Sequence, residues 1–177
     1  AVLYQLMMTP DGAFNFPYVS DAVKTTIGIS AEEIMKDSSK IFNIVHPEDQ
    51  VMFQESILKS AESLDSFPVA FRCMKGDEVI WLEARGMPES MADGGILWEG
   101  FLIDVTDRKR AEEALEESEK KHKALYGTMR LMCDNAPDMI WTKDLKGRFL
   151  FANEAICRNR LMAKDTNEPI GKTEAYF

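Results

Sequence analysis

Two histidines and three cysteines are the side chains of this chain best equipped for chemistry near neutral pH. The cysteines, Cys73, Cys133 and Cys157, are odd in number and share no metal-like spacing, so they read as free thiols of a reducing compartment. Cys73 falls inside an apolar alternating stretch, where a thiol behaves as a small hydrophobe. His46 precedes Pro47-Glu48-Asp49, a run that reads as a helix entry, since proline suits a first turn and acids complement the helix dipole. His122 falls on a helix face. Glu112, Glu113, Glu116 and Glu117 read as a solvated face rather than a metal site. No G-x-x-x-x-G-K, G-x-S-x-G or H-E-x-x-H run occurs. Nothing assembles a nucleophile, a base and an oxyanion site, so no catalytic site is expected.

The elements that position these residues follow from composition and pattern. The 177 residues suit one domain or one and a half, and 45% hydrophobic content allows a core. A net charge of −9 argues against nucleic acid and against an anionic membrane surface. No window reaches the length of a membrane span, and no signal peptide is evident, so a cytoplasmic setting is expected.

Tyr4–Met8 and Phe14–Val19 predict two strands around Pro10-Asp11-Gly12. Ser20 is expected to cap a short helix that Gly28 stops, and Ser30 with Glu33 forms a capping box. A longer helix should open at His46 and carry Val51, Met52, Ile57, Leu58, Ala61 and Leu64 on one side. Three strands follow, near 66–74, 79–87 and 96–103. Such an order predicts an α+β domain on an antiparallel sheet. Alternation puts Phe71, Cys73, Leu82, Ala84, Trp98, Gly100 and Leu102 on the helix-facing side, where small residues could leave room for a ligand. The outer face carries Arg72, Glu83, Arg85 and Glu99 with Trp81, Phe101 and Ile103, too apolar for bare water. An N-terminal segment or a second subunit is expected to cover it.

From Asp104 to Met132 the chain has no proline. Ala111, Leu115, Ser118, His122, Leu125, Met129 and Met132 are spaced as an a/d heptad seam. Glu116–Lys120, Glu117–Lys121 and Glu119–Lys123 are acid-first pairs four apart, which support a helix. Thr106 is expected to cap it. The polar seam positions Ser118 and His122 make any pairing marginal and therefore switchable.

At this point the chain resembles the PAS family of sensory domains. The matching pieces are Phe16 to Ser20, Ile27-Gly28-Ile29-Ser30-Ala31-Glu32-Glu33-Ile34, His46-Pro47-Glu48-Asp49, Phe71-Arg72, Trp81, and Gly100, Asp104 and Thr106. The run from Asp104 to Leu115 looks like the C-terminal border of such domains in multi-sensor kinases. The resemblance implies a PAS fold, a five-stranded antiparallel sheet with short helices on one face, over residues 1–105. It implies signal transfer through Asp104 and Thr106 into a linker helix, 106–133. Its output would be a sensor histidine kinase, or alternatively a diguanylate cyclase. No cofactor is expected. The cysteine motif of flavin light sensors is absent, and His46 reads as a helix entry rather than a haem ligand. A small ligand of unknown identity stays open, as does the rival of a haem- or flavin-bearing redox or gas sensor, or an interaction module with a filled core.

An internal echo points to a second, truncated PAS copy over 134–177. Pro137 to Trp141, the turn Asp144-Leu145-Lys146-Gly147, the return strand to Asn153, and Ile170-Gly171 repeat the opening of the first copy. Its apolar strands are expected to need the first domain or a neighbour. The expected partner is a second copy, through the linker helix and the outer sheet face, with downstream kinase or cyclase domains.

Overall fold

The computed structural model describes the backbone of residues 1–177 and every side chain but that of Phe67. The chain forms two units, Ala1–Glu112 and Glu113–Phe177.

In the first unit, β1 (Val2–Met8), β2 (Phe14–Val19), β3 (Phe67–Lys75), β4 (Glu78–Ser90) and β5 (Ile96–Asp104) make one antiparallel sheet ordered β2-β1-β5-β4-β3. The first and last strands thus pair at its centre, from Val2 opposite Leu102 to Met8 opposite Ile96. Between β2 and β3 lie α1 (Ala22–Ile27), α2 (Ala31–Lys36), α3 (Ser39–Ile44) and α4 (Gln50–Ser63). Val23, Ile27, Ile34, Phe53 and Ile57 from these helices pack with Val69, Phe71, Cys73, Ile80, Leu82, Ala84 and Trp98. Each Val, Leu, Ile or Phe among them, fully buried, contributes roughly 1.5–3 kcal/mol.

Several local expectations change. Ser20 does not cap α1; its hydroxyl accepts from the Leu3 amide and ties β1 to the chain leaving β2. The capping box at Ser30 and Glu33 forms as expected. His46 to Asp49 is a turn, and α4 starts at Gln50. Asp49 is turned away from capping because its carboxylate holds Arg72. The six-residue α3 was not anticipated, because its first residues are polar and its N-terminus has no side-chain cap.

α5 (Thr106–Asp134) is one continuous helix, Gly127 included. Glu116–Lys120 and Glu117–Lys121 close at 2.7 and 2.8 Å. In the second unit, β6 (Trp141–Lys143) pairs with β7 (Phe149–Ala152), and α6 (Glu154–Ile156) runs into a π-helical turn, Cys157–Leu161. Phe149, Ala152, Ile156, Cys157 and Leu161 form a small core of their own. This hairpin therefore buries part of its apolar surface within its own unit. Asn153, fully buried, knots the unit together. Its amide oxygen accepts from the Ile140 and Ile156 amides, and its nitrogen donates to the Cys133 and Asp138 carbonyls.

Candidate functional site

An apolar cavity of about 50 Å³ lies between the sheet and the four short helices of the first unit. Five expected residues stand on its wall: Phe71 and Cys73 from β3, Leu82 and Ala84 from β4, and Leu102 from β5. Period-2 alternation puts them there, every second residue facing the helices. From α4 the wall takes Phe53 and Ile57, spaced four apart as one helix face requires; of the expected apolar side of that helix only Ile57 belongs to it, and Val51, Met52, Leu58 and Leu64 are exposed.

Two expected residues do not belong to it. Trp98 is fully buried elsewhere on the same face, and its indole N–H donates to Ser60 Oγ at 3.0 Å. Gly100 leaves no space. A Cβ built there would meet the Tyr4 ring at 2.8 Å and would run into the Arg85 carbonyl oxygen. Glycine serves close strand approach under an aromatic ring at this point, and Tyr4 supplies the cavity wall instead. Burial raises the Tyr4 hydroxyl well above its ordinary pKa. Burial, with a smaller push from the Asp49 charge, lifts the Cys73 thiol to about 12, so Cys73 stays a neutral thiol in the core.

On the other face of the sheet a chain of polar contacts leads from α4 to α5. Asp49 accepts from the Arg72 amide at 2.8 Å, from Nε at 3.0 Å and from Nη2 at 2.6 Å, while Glu48 takes Nη2 at 2.9 Å. The Arg72 hydrogen bonds hold the Asp49 carboxyl below its ordinary pKa despite burial. Arg72 pairs in register with Trp81, and its guanidinium lies 5.8 Å from that ring's centroid. Lys109 of α5 approaches the same ring at 5.7 Å. The backbone of Trp81 is tied to α5 as well: its N–H donates to Thr106 Oγ1 at 3.0 Å, and its carbonyl accepts from the Val105 amide at 2.9 Å.

Thr106 is therefore the acceptor of a strand rather than the cap of its own helix. Asp104 takes the capping place, accepting from the Thr106 amide at 2.9 Å and the Thr106 hydroxyl at 2.5 Å. Arg108 pairs with Glu83, and Arg110 with Glu78 at 3.1 Å. Burial opposes the charge on Glu83, yet Arg85 and Arg108 hold its carboxyl below the ordinary range. The cover over Trp81 is thus the start of α5 itself together with Arg72. Neither the N-terminal segment nor a second subunit was needed at that point. Phe101 and Leu3 remain exposed on the same face.

Beyond these turns the expected seam residues Ala111, Leu115, Ser118, His122, Leu125, Met129 and Met132 are all exposed, Leu115 at 63% and Leu125 at 68%. Among the described residues, no three His, Cys, Asp or Glu side chains gather where a metal ion could sit. Among the same residues, no helix is long and apolar enough to cross a membrane.

Residues 16–102 match the family model described as PAS fold. A curated relative, the uncharacterized protein y4lL of Sinorhizobium fredii, is 32% identical over 105 residues, or 58% of this chain. The chain spans about 12% of that relative's length. Among solved structures, a sensory box histidine kinase/response regulator of Burkholderia thailandensis superposes with a TM-score of 0.53 at 23% identity, covering 69% of this chain and 91% of that one. The N-terminal domain of a diguanylate cyclase with PAS/PAC sensor, from Marinobacter aquaeolei, gives 0.52 at 16% identity, covering 62% and 99%.

Proposed function

The first unit is a PAS domain, and we propose that it is the input module of a larger signalling protein whose output domain is a histidine kinase. In this reading a change in cavity packing moves α4 and β3, and the Asp49–Arg72–Trp81 chain carries it to the root of α5. There it alters how two copies of α5 pair along the seam from Ala111 to Met129. The chain itself acts by binding and not by catalysis, within the cytoplasm. The segment 134–177 is read as the opening of a second PAS copy. Its hairpin turn and its later glycine repeat the left-handed positions of the first unit, with φ of +73° and +79° at Gly147 and Gly171 against +85° and +87° at Gly12 and Gly28. The coupling expected of such a switch is about 1–3 kcal/mol.

The observation that carries the proposal is that both backbone groups of Trp81 are spent on Val105 and Thr106, so β4 cannot shift without pulling on α5. The test joins residues 1–134 in frame to a histidine kinase catalytic region and follows autophosphorylation. Thr106→Val removes the acceptor for the Trp81 amide and should cost about 1–2 kcal/mol of local stability. It should also change kinase output severalfold. Output unchanged by Thr106→Val would reject the route. A parallel fusion to a diguanylate cyclase region tests the alternative output.

A further inference from the structure

The two methionines of α5, Met129 and Met132, both fall on its seam. Steps of four and three from Leu125 put them on one line of the helix, which runs unbroken through both. The near half of the seam is Ala111 and Leu115, and the middle is the polar pair Ser118 and His122. In the far half, Leu125, Met129 and Met132, two of the three apolar groups are therefore thioethers. Both are open to solvent, Met129 at 44% and Met132 at 71%.

The backbone that carries them is held. Arg130 pairs with Asp134 at 2.9 Å, and its guanidinium lies 4.9 Å from the Phe151 ring centroid. The Cys133 carbonyl accepts from the side-chain amide of buried Asn153 at 2.7 Å. Asp134 accepts from the Glu154 amide at 3.1 Å. Half-buried Arg130, Cys133 and Asp134 thus face the core of the second unit, while exposed Met129 and Met132 face solvent. A chemical change confined to these two thioethers leaves the helix end in place and alters what the seam presents. A thioether is apolar and pliable, and its sulfoxide is polar.

We propose that Met129 and Met132 are a modification site, and that their oxidation by a peroxide loosens the pairing of two α5 helices. The inference rests on the pairing reading above and gives that same surface a redox control. In the step, the O–O bond of hydrogen peroxide breaks and one oxygen bonds to sulfur. The sulfur gives up two electrons, and the other oxygen leaves as water. The new oxygen is a hydrogen-bond acceptor, and an apolar seam offers it no donor, so its burial is disfavoured. Pairing shields the sulfurs from oxidant, and oxidation in turn opposes pairing. A thiol-dependent sulfoxide reductase restores the thioether, so the mark is reversible.

The test treats the full chain with hydrogen peroxide and then with dithiothreitol, which returns cysteine disulfides and sulfenates to thiols and leaves methionine sulfoxide untouched. Peptide mass spectrometry reads the oxygen on each methionine, and sedimentation equilibrium reads the dimer. With both seam sulfurs oxidised, the dissociation constant should rise by at least about tenfold, because an unpartnered polar group enters an apolar seam. Met129→Leu with Met132→Leu keeps the seam apolar and removes both sulfurs, and its constant should be the same before and after peroxide. Met87→Leu with Met162→Leu removes two exposed sulfurs off the seam and should leave the wild-type response intact. Raising the protein concentration should slow oxygen uptake at Met129 and Met132 relative to Met87 and Met162. A dissociation constant unmoved with both seam sulfurs oxidised would overturn the proposal. So would an equal loss of pairing in the double leucine variant of the seam. A wild type that does not dimerise before oxidation removes the pairing reading itself, and the redox control with it.

Discussion

The two stretches of α5 have opposite surroundings, one packed on the sheet and one exposed. Over Thr106–Glu112 the helix is bolted to β4: Thr106 is buried, Lys109 covers Trp81, and Arg108 and Arg110 reach Glu83 and Glu78. From Glu113 to Met129 every residue is exposed, and the recorded ion pairs are intrahelical ones between Glu116 and Lys120 and between Glu117 and Lys121. Such exposed pairs contribute about 0.3–0.5 kcal/mol each. The first stretch is shaped by its own domain. The second has helix propensity and an apolar seam but nothing fixed against it. One continuous helix can thus be held at its root and left free to choose a partner along its length.

The largest effect should come from breaking the free stretch. Leu115→Lys with Leu125→Lys puts like charges on the seam and should move the chain from dimer to monomer in sedimentation velocity. Glu113→Lys with Glu117→Lys changes charge while sparing the seam and should leave the sedimentation coefficient unaltered. A wild-type chain that sediments as a monomer at high micromolar concentration would make α5 a tether rather than a pairing surface.

Next comes the anchored side. Asp49→Ala strips Arg72 of three hydrogen bonds and should cost about 2–4 kcal/mol in urea unfolding. The carboxyl is depressed in the folded state, so its contribution is present above its ordinary value of 3.8 and is lost as pH falls through the folded value. Stability should therefore fall on acidification below about pH 4, and Asp49→Asn should flatten part of that fall. A smaller effect sharpens the comparison from the free side. A Cβ on Gly127 meets nothing within 4 Å, so Gly127→Ala should stabilise the helix by about 1 kcal/mol, read as raised helicity in circular dichroism.

The sheet was legible because strand alternation is a local pattern. Phe71, Cys73, Leu82 and Ala84 fell on the correct face from their parity alone. The capping box at Ser30 and Glu33 was legible for the same reason, both partners lying within four residues. Parity could not say which small residue opens a space and which is filled from across the sheet. Gly100 is filled by Tyr4, a residue 96 positions away in sequence whose opposition to it is set by the β1–β5 register. Nor could sequence tell a cap from an acceptor. Ser20, Asp49 and Thr106 all have cap-forming side chains, and each is spent on a distant strand, at Leu3, Arg72 and Trp81. Side chains that bond far along the chain are where local rules give way to tertiary structure.

The central claim is that Trp81 connects the domain to the free stretch of α5. Hydrogen exchange of the amides from Glu113 to Met129 tests it most directly, comparing wild type with Trp81→Ala under conditions where the sheet stays folded. Loss of the ring removes the surface that Arg72 and Lys109 share. Faster exchange throughout that stretch, with the amides of β1 and β5 still protected, is the result the mechanism requires. Identical exchange in the two proteins would mean that α5 does not sense the domain through the Trp81 ring, leaving only the backbone bonds to Val105 and Thr106 as the link.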